Sequence, residues 1–268
     1  MDLRTFYSRP LDEILADSSL ASVFGEFLEA LEKGSIRAAA PDLEGVWHAN
    51  AWVKAAILAG FRSTPTQEVP GWPGPCFDRA AYPPRAFTLA DGVRVVPGGS
   101  AVRRGAFVAP GVVIVPPAYV NVGAYVDEGA MVDSHALVGS CAQIGRRVHL
   151  SAGAQIGGVL EPAGALPVVV EDEAFVGGLC GLFEGVVVKR RAVLAPGVLI
   201  TASTRIFDLV NECEITRVVP EGAVVVPGSR PAQGAFALNK RLNLSAPCIV
   251  KYRDSRTDAS TALEEALR

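Results

Sequence analysis

Histidine is scarce in this 268-residue chain, with three copies (His48, His135, His149), and its five cysteines (Cys76, Cys141, Cys180, Cys213, Cys248) include no CxxC pair. An odd, scattered set argues against a disulfide framework and for a reducing compartment, so a cytoplasmic protein is expected. Positive charge is not in excess: 25 Lys and Arg stand against 28 Asp and Glu, a formal net charge of -3. Nucleic-acid partners need a net basic face, and none is expected here. The opening MDLRTFYSRPLDEILADSS has acidic residues where an export signal needs a basic start and an unbroken apolar stretch. Residues 107–126, FVAPGVVIVPPAYVNVGAYV, carry no charge, but three prolines, two glycines and Asn121 rule against a bilayer-spanning helix. No membrane partner is expected.

Half the residues are hydrophobic, ample for a core, and they are arranged with a period of six. Stepping from Val96 gives Val102, Val108, Ile114, Val120, Val126, Val132, Val138, Ile144, Leu150 and Ile156; a second phase runs Val170, Val176, Leu182, Val188, Leu194, Ile200 and Ile206. Val, Ile and Leu fill 35 of the 111 positions from 96 to 206, so this unbroken series has a chance probability on the order of 10⁻⁹. Two residues before most sites stands Ala (106, 118, 124, 130, 136, 142, 154), a spacing that turns both members inward on a short strand. The residue after each site reads Asn121, Asp127, Asp133, Gly139, Gly145, Ser151, Gly157. Nearly all tolerate left-handed backbone angles, which predicts a sharp corner at each.

Three hexads make one triangular coil, and stacked coils bury an aliphatic column: a mainly β protein built as a parallel β-helix of about six coils. Its left hand follows from likeness to the hexapeptide-repeat class, not from the spacing. Fourteen residues separate Ile156 from Val170, so GGVLEPAGALPVVV is expected to leave the prism as a loop. Before the lattice, SSLASVFGEFLEALEKG predicts a helix closing at Gly34, and WHANAWVKAAIL a second one, followed by a proline-rich linker, STPTQEVPGWPGP. After it, the hexad weakens to Val218 and Val224, SAPCIVKYRD reads as a strand and TDASTALEEALR as a helix. The expected division is 1–92 for the helical domain and linker, 93–230 for the β-helix and 231–268 for a strand and helix extension.

The run YVNVGAYVDEGAMVDSHALVGSCAQIGRRVHLSAGAQIGGVLEP, residues 119–162, resembles the tetrahydrodipicolinate N-succinyltransferases of bacterial lysine and diaminopimelate synthesis. RVVP at 94–97, RRGAFVAP at 103–110, STRIFD at 203–208, VVVPGS at 224–229 and IVK at 249–251 extend the likeness over nearly the whole chain. The resemblance implies direct transfer of a succinyl group from succinyl-CoA to the amine of a dicarboxylate substrate, in a homotrimer with sites between neighbouring prisms. It implies that Asp133 orients and deprotonates the amine, and that Arg94 binds a substrate carboxylate. Spacing alone reads Asp133 as a corner residue like Asp127, and Arg94 as a solvated charge.

Ser134 and His135 follow Asp133 and join the substrate candidates; His135 stands where the family commonly has Trp. Gly158 is a candidate donor to the thioester oxygen. For CoA, Arg205 and Lys251 are selected from the cations Lys189, Arg190, Arg191, Arg205, Lys240, Arg241 and Lys251. Where many relatives read Ala-Arg-Ser-Glu, this chain has Gly178, Leu179, Cys180 and Gly181, so the second carboxylate usually proposed for the site is missing. An acetyl-CoA enzyme and a non-catalytic trimeric binding protein are the rivals. No metal is expected: with His48 in the helical segment, too few histidines remain for a three-histidine zinc site. Cys141 is read as an outward corner residue and Cys180 as an inward lattice residue, not as nucleophiles.

Overall fold

In the computed structural model, which describes residues 2–69, 74–254, 259, 263 and 264, each hexad forms one two-residue strand and one corner. Strands eighteen residues apart stack in parallel, as in Phe107↔Tyr125↔Gln143, so three hexads complete one turn. The turns build three faces. The first carries Arg94–Val95, Val113–Ile114, Met131–Val132, His149–Leu150, Phe175–Val176 and Val193–Leu194. The second carries Ala101–Val102, Tyr119–Val120, Leu137–Val138, Gln155–Ile156, Gly181–Leu182 and Leu199–Ile200. The third, also six-stranded, starts at Phe107–Val108 and ends at Val218–Val219. This is the left-handed parallel β-helix of the hexapeptide class with an N-terminal helical part.

The aliphatic member of each strand points inward. From Val102 through Ile156 and from Val170 through Ile200 none is more than 4 % exposed, and the alanines two residues earlier share the same core. At both ends the register differs from the simple count. Val95, not Val96, pairs with Ile114, and Val219 and Val225, not Val218 and Val224, pair with Val188 and Leu194. One residue added before Val102 shifts the inward position at the first end, and at the other the longer connection through Arg205–Asp208 and Cys213–Thr216 does so.

The corners also differ from expectation. Positive φ falls two residues later than predicted, at Gly123, Gly129, His135, Cys141, Arg147 and Gly153, with φ between 52° and 73°. Asn121, Asp127 and Asp133 instead open each turn by accepting the next residue's N–H. Glycine at 139 and 145 answers to close approach: a Cβ on Gly139 would lie 2.2 Å from Gly158 N, and one on Gly145 2.6 Å from Asp172 N.

Four N-terminal helices, α1 (Leu3–Tyr7), α2 (Leu11–Ala16), α3 (Leu20–Glu32) and α4 (Ala51–Ser63), pack around Phe6, Tyr7, Phe27 and Ile57. Trp47–Ala49, expected to be helical, is a strand paired with Ala39–Pro41, and the expected linker contains a hairpin, Thr66–Val69 with Cys76–Arg79. The helical core extends onto the prism through Val122 and Cys141. The third face is covered by Arg37, whose guanidinium stacks on Tyr125 at 3.6 Å and donates from Nε to Gln143 Oε1 at 2.9 Å.

Residues 157–168 leave the prism as expected, between Gln155–Ile156 and Val169–Val170. The expected C-terminal strand forms over Cys248–Tyr252 and enters the first-face sheet beside Ala223–Val226 and Arg205–Asp208. The helix expected over 257–268 lies largely outside the described residues.

The packing makes a stability prediction. Ile144→Ala leaves a hole in a closely packed column and is expected to cost about 2–5 kcal/mol. Gly164→Ala places a Cβ where no atom lies within 4 Å and is expected to leave the melting temperature unchanged. Thermal unfolding of both variants checks the contrast, and equal effects would contradict it.

Candidate active site

Asp133 begins the corner between the first and second faces. Its Oδ1 accepts the Ser134 N–H at 2.7 Å, and its own N–H is held by Leu150 O at 3.0 Å. Asn121 and Asp127 open their corners in the same way, but each has a cation at its side chain: Arg103 Nη1 stands 3.3 Å from Asn121 Oδ1, and Arg146 Nε 3.8 Å from Asp127 Oδ2. Among the described residues Asp133 Oδ2 has no hydrogen-bond or ion-pair partner. That difference distinguishes the half-buried Asp133 from the Asn121 and Asp127 corners.

Ser134 follows on the same corner, half-buried. His135 takes the left-handed position at φ 61° and is exposed; its carbonyl accepts from Gln155 Nε2 at 3.1 Å. It fills the place glycine holds at Gly123 and Gly129, which gives it a backbone task apart from any chemistry.

Arg94 projects from the first face, exposed and with no ion pair among the described residues. The ladder Arg94↔Val113↔Met131 sets it two rungs from the strand Met131–Val132 that leads into Asp133, roughly 10 Å along the prism axis at about 4.8 Å per strand. The two candidates therefore share a face without touching. One rung beyond Met131 is His149, which sequence reasoning set aside. It faces outward, stacks on Phe175 at 5.0 Å, and lies within electrostatic reach of Asp133. Burial holds its pKa below the ordinary value, with Asp133 opposing the shift; the outward parity of position 149 in the hexad was the available signal.

Gly157 and Gly158 lie at the opposite end of the second face, roughly 15 Å across at about 3.3 Å per residue, so one chain does not bring Gly158 to Asp133. They line a groove of about 900 Å³ with Trp47, Val159, Glu161, Ala165, Leu166, Phe183, Glu184, Thr201 and Arg217. The Gly158 N–H has no partner among the described residues. Arg217, missed in the sequence, stands on the groove at φ 64° with no ion pair among the described residues; the phase change after Ile206 hid its position.

Gly181, where the second carboxylate is absent, is buried: a Cβ there would lie 2.6 Å from the Phe183 ring and 2.8 Å from Leu199 Cδ2. Phe183 occupies the space a longer side chain would need. Arg205 is exposed and pairs with Glu214 at 3.5 Å, while Lys251 is half-buried on the neighbouring strand. From the pairing Phe207↔Cys248 they stand about five residues apart along the ladder, roughly 16 Å, so they do not converge on one phosphate. Lys189 is tied to Glu171 at 2.8 Å.

The buried thiols of Cys141 and Cys180 are unsuited to nucleophilic work. Burial pushes Cys141 up to about 12 and Cys180 up to about 11, and Cys180 Sγ donates to Ala195 O. Among the described residues no three His, Cys, Asp or Glu side chains converge as a metal site, and no helix is long and apolar enough to cross a membrane. Because the pKa of His149 is depressed in the folded state, its contribution to stability is complete above about 6.5, the unfolded value. It is lost as pH falls through that value toward the folded one. A ring NMR titration should therefore give a midpoint below 6.5, and His149→Phe should remove that part of the acid sensitivity; a midpoint above 6.5 would refute the shift.

Comparison with known proteins adds independent support. The family described as tetrahydrodipicolinate N-succinyltransferase N-terminal matches residues 8–63. A 2,3,4,5-tetrahydropyridine-2,6-dicarboxylate N-succinyltransferase from Bradyrhizobium diazoefficiens is 46 % identical over 252 residues, covering 91 % of this chain and 88 % of its own. The enzyme of that name from Afipia carboxidovorans is 43 % identical, covering 94 % of each. A crystal structure of a putative 2,3,4,5-tetrahydropyridine-2-carboxylate N-succinyltransferase from Campylobacter jejuni aligns with TM-score 0.47 and 16 % identity, over 94 % of this chain and 65 % of the other. With relatives this similar matched along nine-tenths of its length, the chain belongs to the tetrahydrodipicolinate N-succinyltransferase family.

Proposed function

We propose that the chain transfers the succinyl group of succinyl-CoA to the primary amine of 2-amino-6-oxopimelate, the ring-opened form of tetrahydrodipicolinate, at sites completed between neighbouring copies of a cytoplasmic homotrimer. The observation that carries this reading is the unengaged Oδ2 of Asp133, whereas Asn121 accepts a hydrogen bond from Arg103 and Asp127 faces Arg146 at the matching corners. The amine nitrogen attacks the thioester carbonyl carbon. Asp133 Oδ2 accepts the amine proton as the N–C bond forms. As the tetrahedral intermediate collapses, the C–S bond breaks and the proton passes to the leaving CoA sulfur, which restores the carboxylate.

Arg94 supplies the fork for one substrate carboxylate, about two rungs from Asp133, a spacing suited to a molecule with carboxylates at both ends. Ser134 and His135 border the amine, and the Gly158 N–H faces the developing oxyanion from the neighbouring copy. The separation of Asp133 from Gly158 by the width of the second face favours a shared site. That face bears exposed Tyr119 and Leu199, and the described N-terminal residues border it only near Ala101 and Tyr119. The 900 Å³ groove suits the pantetheine arm, and Arg217 on its lining is a cation for a phosphate; Arg205 and Lys251, which do not line it, are the further candidates. Five free cysteines suit a reducing compartment, and the division at 92 and 230 remains the proposed domain organisation.

Asp133→Asn is expected to leave the oligomer intact by size-exclusion chromatography and to lower kcat at least about a hundredfold; an unchanged rate would remove Asp133 from this role. Thiol release with an aminopimelate acceptor is expected from succinyl-CoA and not acetyl-CoA. Activity with acetyl-CoA alone would favour the acetyl counterpart, and binding without turnover of either donor a non-catalytic protein. Arg94→Ala should raise KM for the dicarboxylate and leave KM for succinyl-CoA unchanged; the reverse would reassign it.

A further inference from the structure

Lys54, on α4, is 0 % exposed. A lysine is almost never fully buried without a partner, since its ammonium loses hydration that an apolar surrounding cannot replace. Burial lowers its pKa, and among the described residues no carboxylate pairs with it; Cys141 is its electrostatic neighbour. Its Nζ donates a short hydrogen bond to the carbonyl of Ala165. Ala165 belongs to the 157–168 excursion and lines the 900 Å³ groove with Gly158, Val159 and Leu166.

Other contacts fix the same excursion. Leu160 packs into the helical core, the Val159 N–H is held by Ser140 O at 3.2 Å, and Leu166 O lies where a Cβ on Gly185 would be only 2.8 Å away. These hold the two ends of the excursion, and Lys54 holds Ala165, the residue before Leu166. Trp47 from the same N-terminal part also lines the groove. The helical part is thus the floor on which one wall of the groove rests.

We propose that Lys54 is a positioning residue for the acyl donor: its ammonium pins Ala165 and so presets the wall of the groove that receives acyl-CoA. This rests on reading that groove as the acyl-CoA site. The cost of burying the ammonium is offset by order in a segment that would otherwise have to be arranged when the donor binds, and prearranged walls bind more tightly. Lys54 does not touch the reacting atoms, so its loss should act on donor binding more than on turnover.

The test is Lys54→Met, which keeps length and volume and removes the donor. Ala165 is half-exposed, so its freed carbonyl can turn to water and the fold should survive. KM for succinyl-CoA is expected to rise roughly tenfold, on the scale of one charge-assisted hydrogen bond, with KM for 2-aminopimelate and kcat little changed. Amide exchange over residues 159–166 should quicken, and Lys54→Arg, which keeps a donor, should restore most of both. Unchanged donor KM and unchanged exchange in Lys54→Met would overturn the proposal.

The wild-type protein separates this failure from that of the underlying reading. CoA should slow exchange at 157–166; no slowing there would overturn the groove assignment itself, whatever Lys54 does. Should Lys54→Met not fold, wild-type exchange still decides. CoA should slow the amides of α4 around Lys54 together with those of 159–166, and slowing of the excursion alone would overturn the link.

Discussion

Everything in this molecule depends on the stacking of eighteen-residue turns around one aliphatic column. Each inward Val, Ile or Leu lies directly over its counterpart in the next turn, as Val108, Val126 and Ile144 do. Because side chains alternate along a strand, fixing the inward residue also fixes the outward one. The prism is therefore a ruler: Arg94, Val113, Met131, His149 and Phe175 stand on one face at strand spacing. A slip of one residue would turn the core outward, so the register is strongly specified.

Such a ruler sets functional groups with accuracy but offers poor pockets, since a flat face cannot surround a ligand. The chain departs from regularity in two ways that make concavity. The 157–168 excursion stands off the second corner and forms one wall of a groove, and the N-terminal helices and the Trp47 strand support it from below. The second face, with Asp133 at one edge and Gly158 at the other, is bordered by the described N-terminal residues only near Ala101 and Tyr119. In the proposed function a second copy laid along that face brings the two edges together, which would join the repeat architecture to acyl transfer.

Much of this was legible in the sequence because the hexad is a strong constraint repeated many times. The column from Val102 to Ile200, the excursion after Ile156 and the helix over Leu20–Glu32 follow from periodicity and capping alone. The ends were less legible. Val96, Val218 and Val224 fit a count of six, but a connection whose length is not a multiple of six moves the register, and hydrophobicity does not report it when both neighbours are valine. Trp47–Ala49 reads as helical from its neighbours, yet pairing with Ala39–Pro41 fixes it as a strand. The candidate site was legible in part: Asp133 and Arg94 came from motif likeness. What sets Asp133 apart from Asp127, an oxygen without a cation, depends on where Arg103 and Arg146 reach, and that is a tertiary fact. The closure of the Gly181 position by Phe183 and the burial of Lys54 beneath Ala165 are likewise contacts between distant segments.

The central claim is that Asp133 of one copy works with the groove of another, and subunit mixing tests it most directly. Asp133→Asn removes one half of each site, and Gly158→Val obstructs the other, since even a Cβ there would lie 2.4 Å from Ser140 N. Each variant alone should be nearly inactive. Co-assembled in equal amounts, random mixing gives about one interface in four with both halves intact, so activity should return to roughly a quarter of the wild-type rate. Mixed oligomers that remain as inactive as the parents would show that both halves must lie in the same chain and would contradict the account.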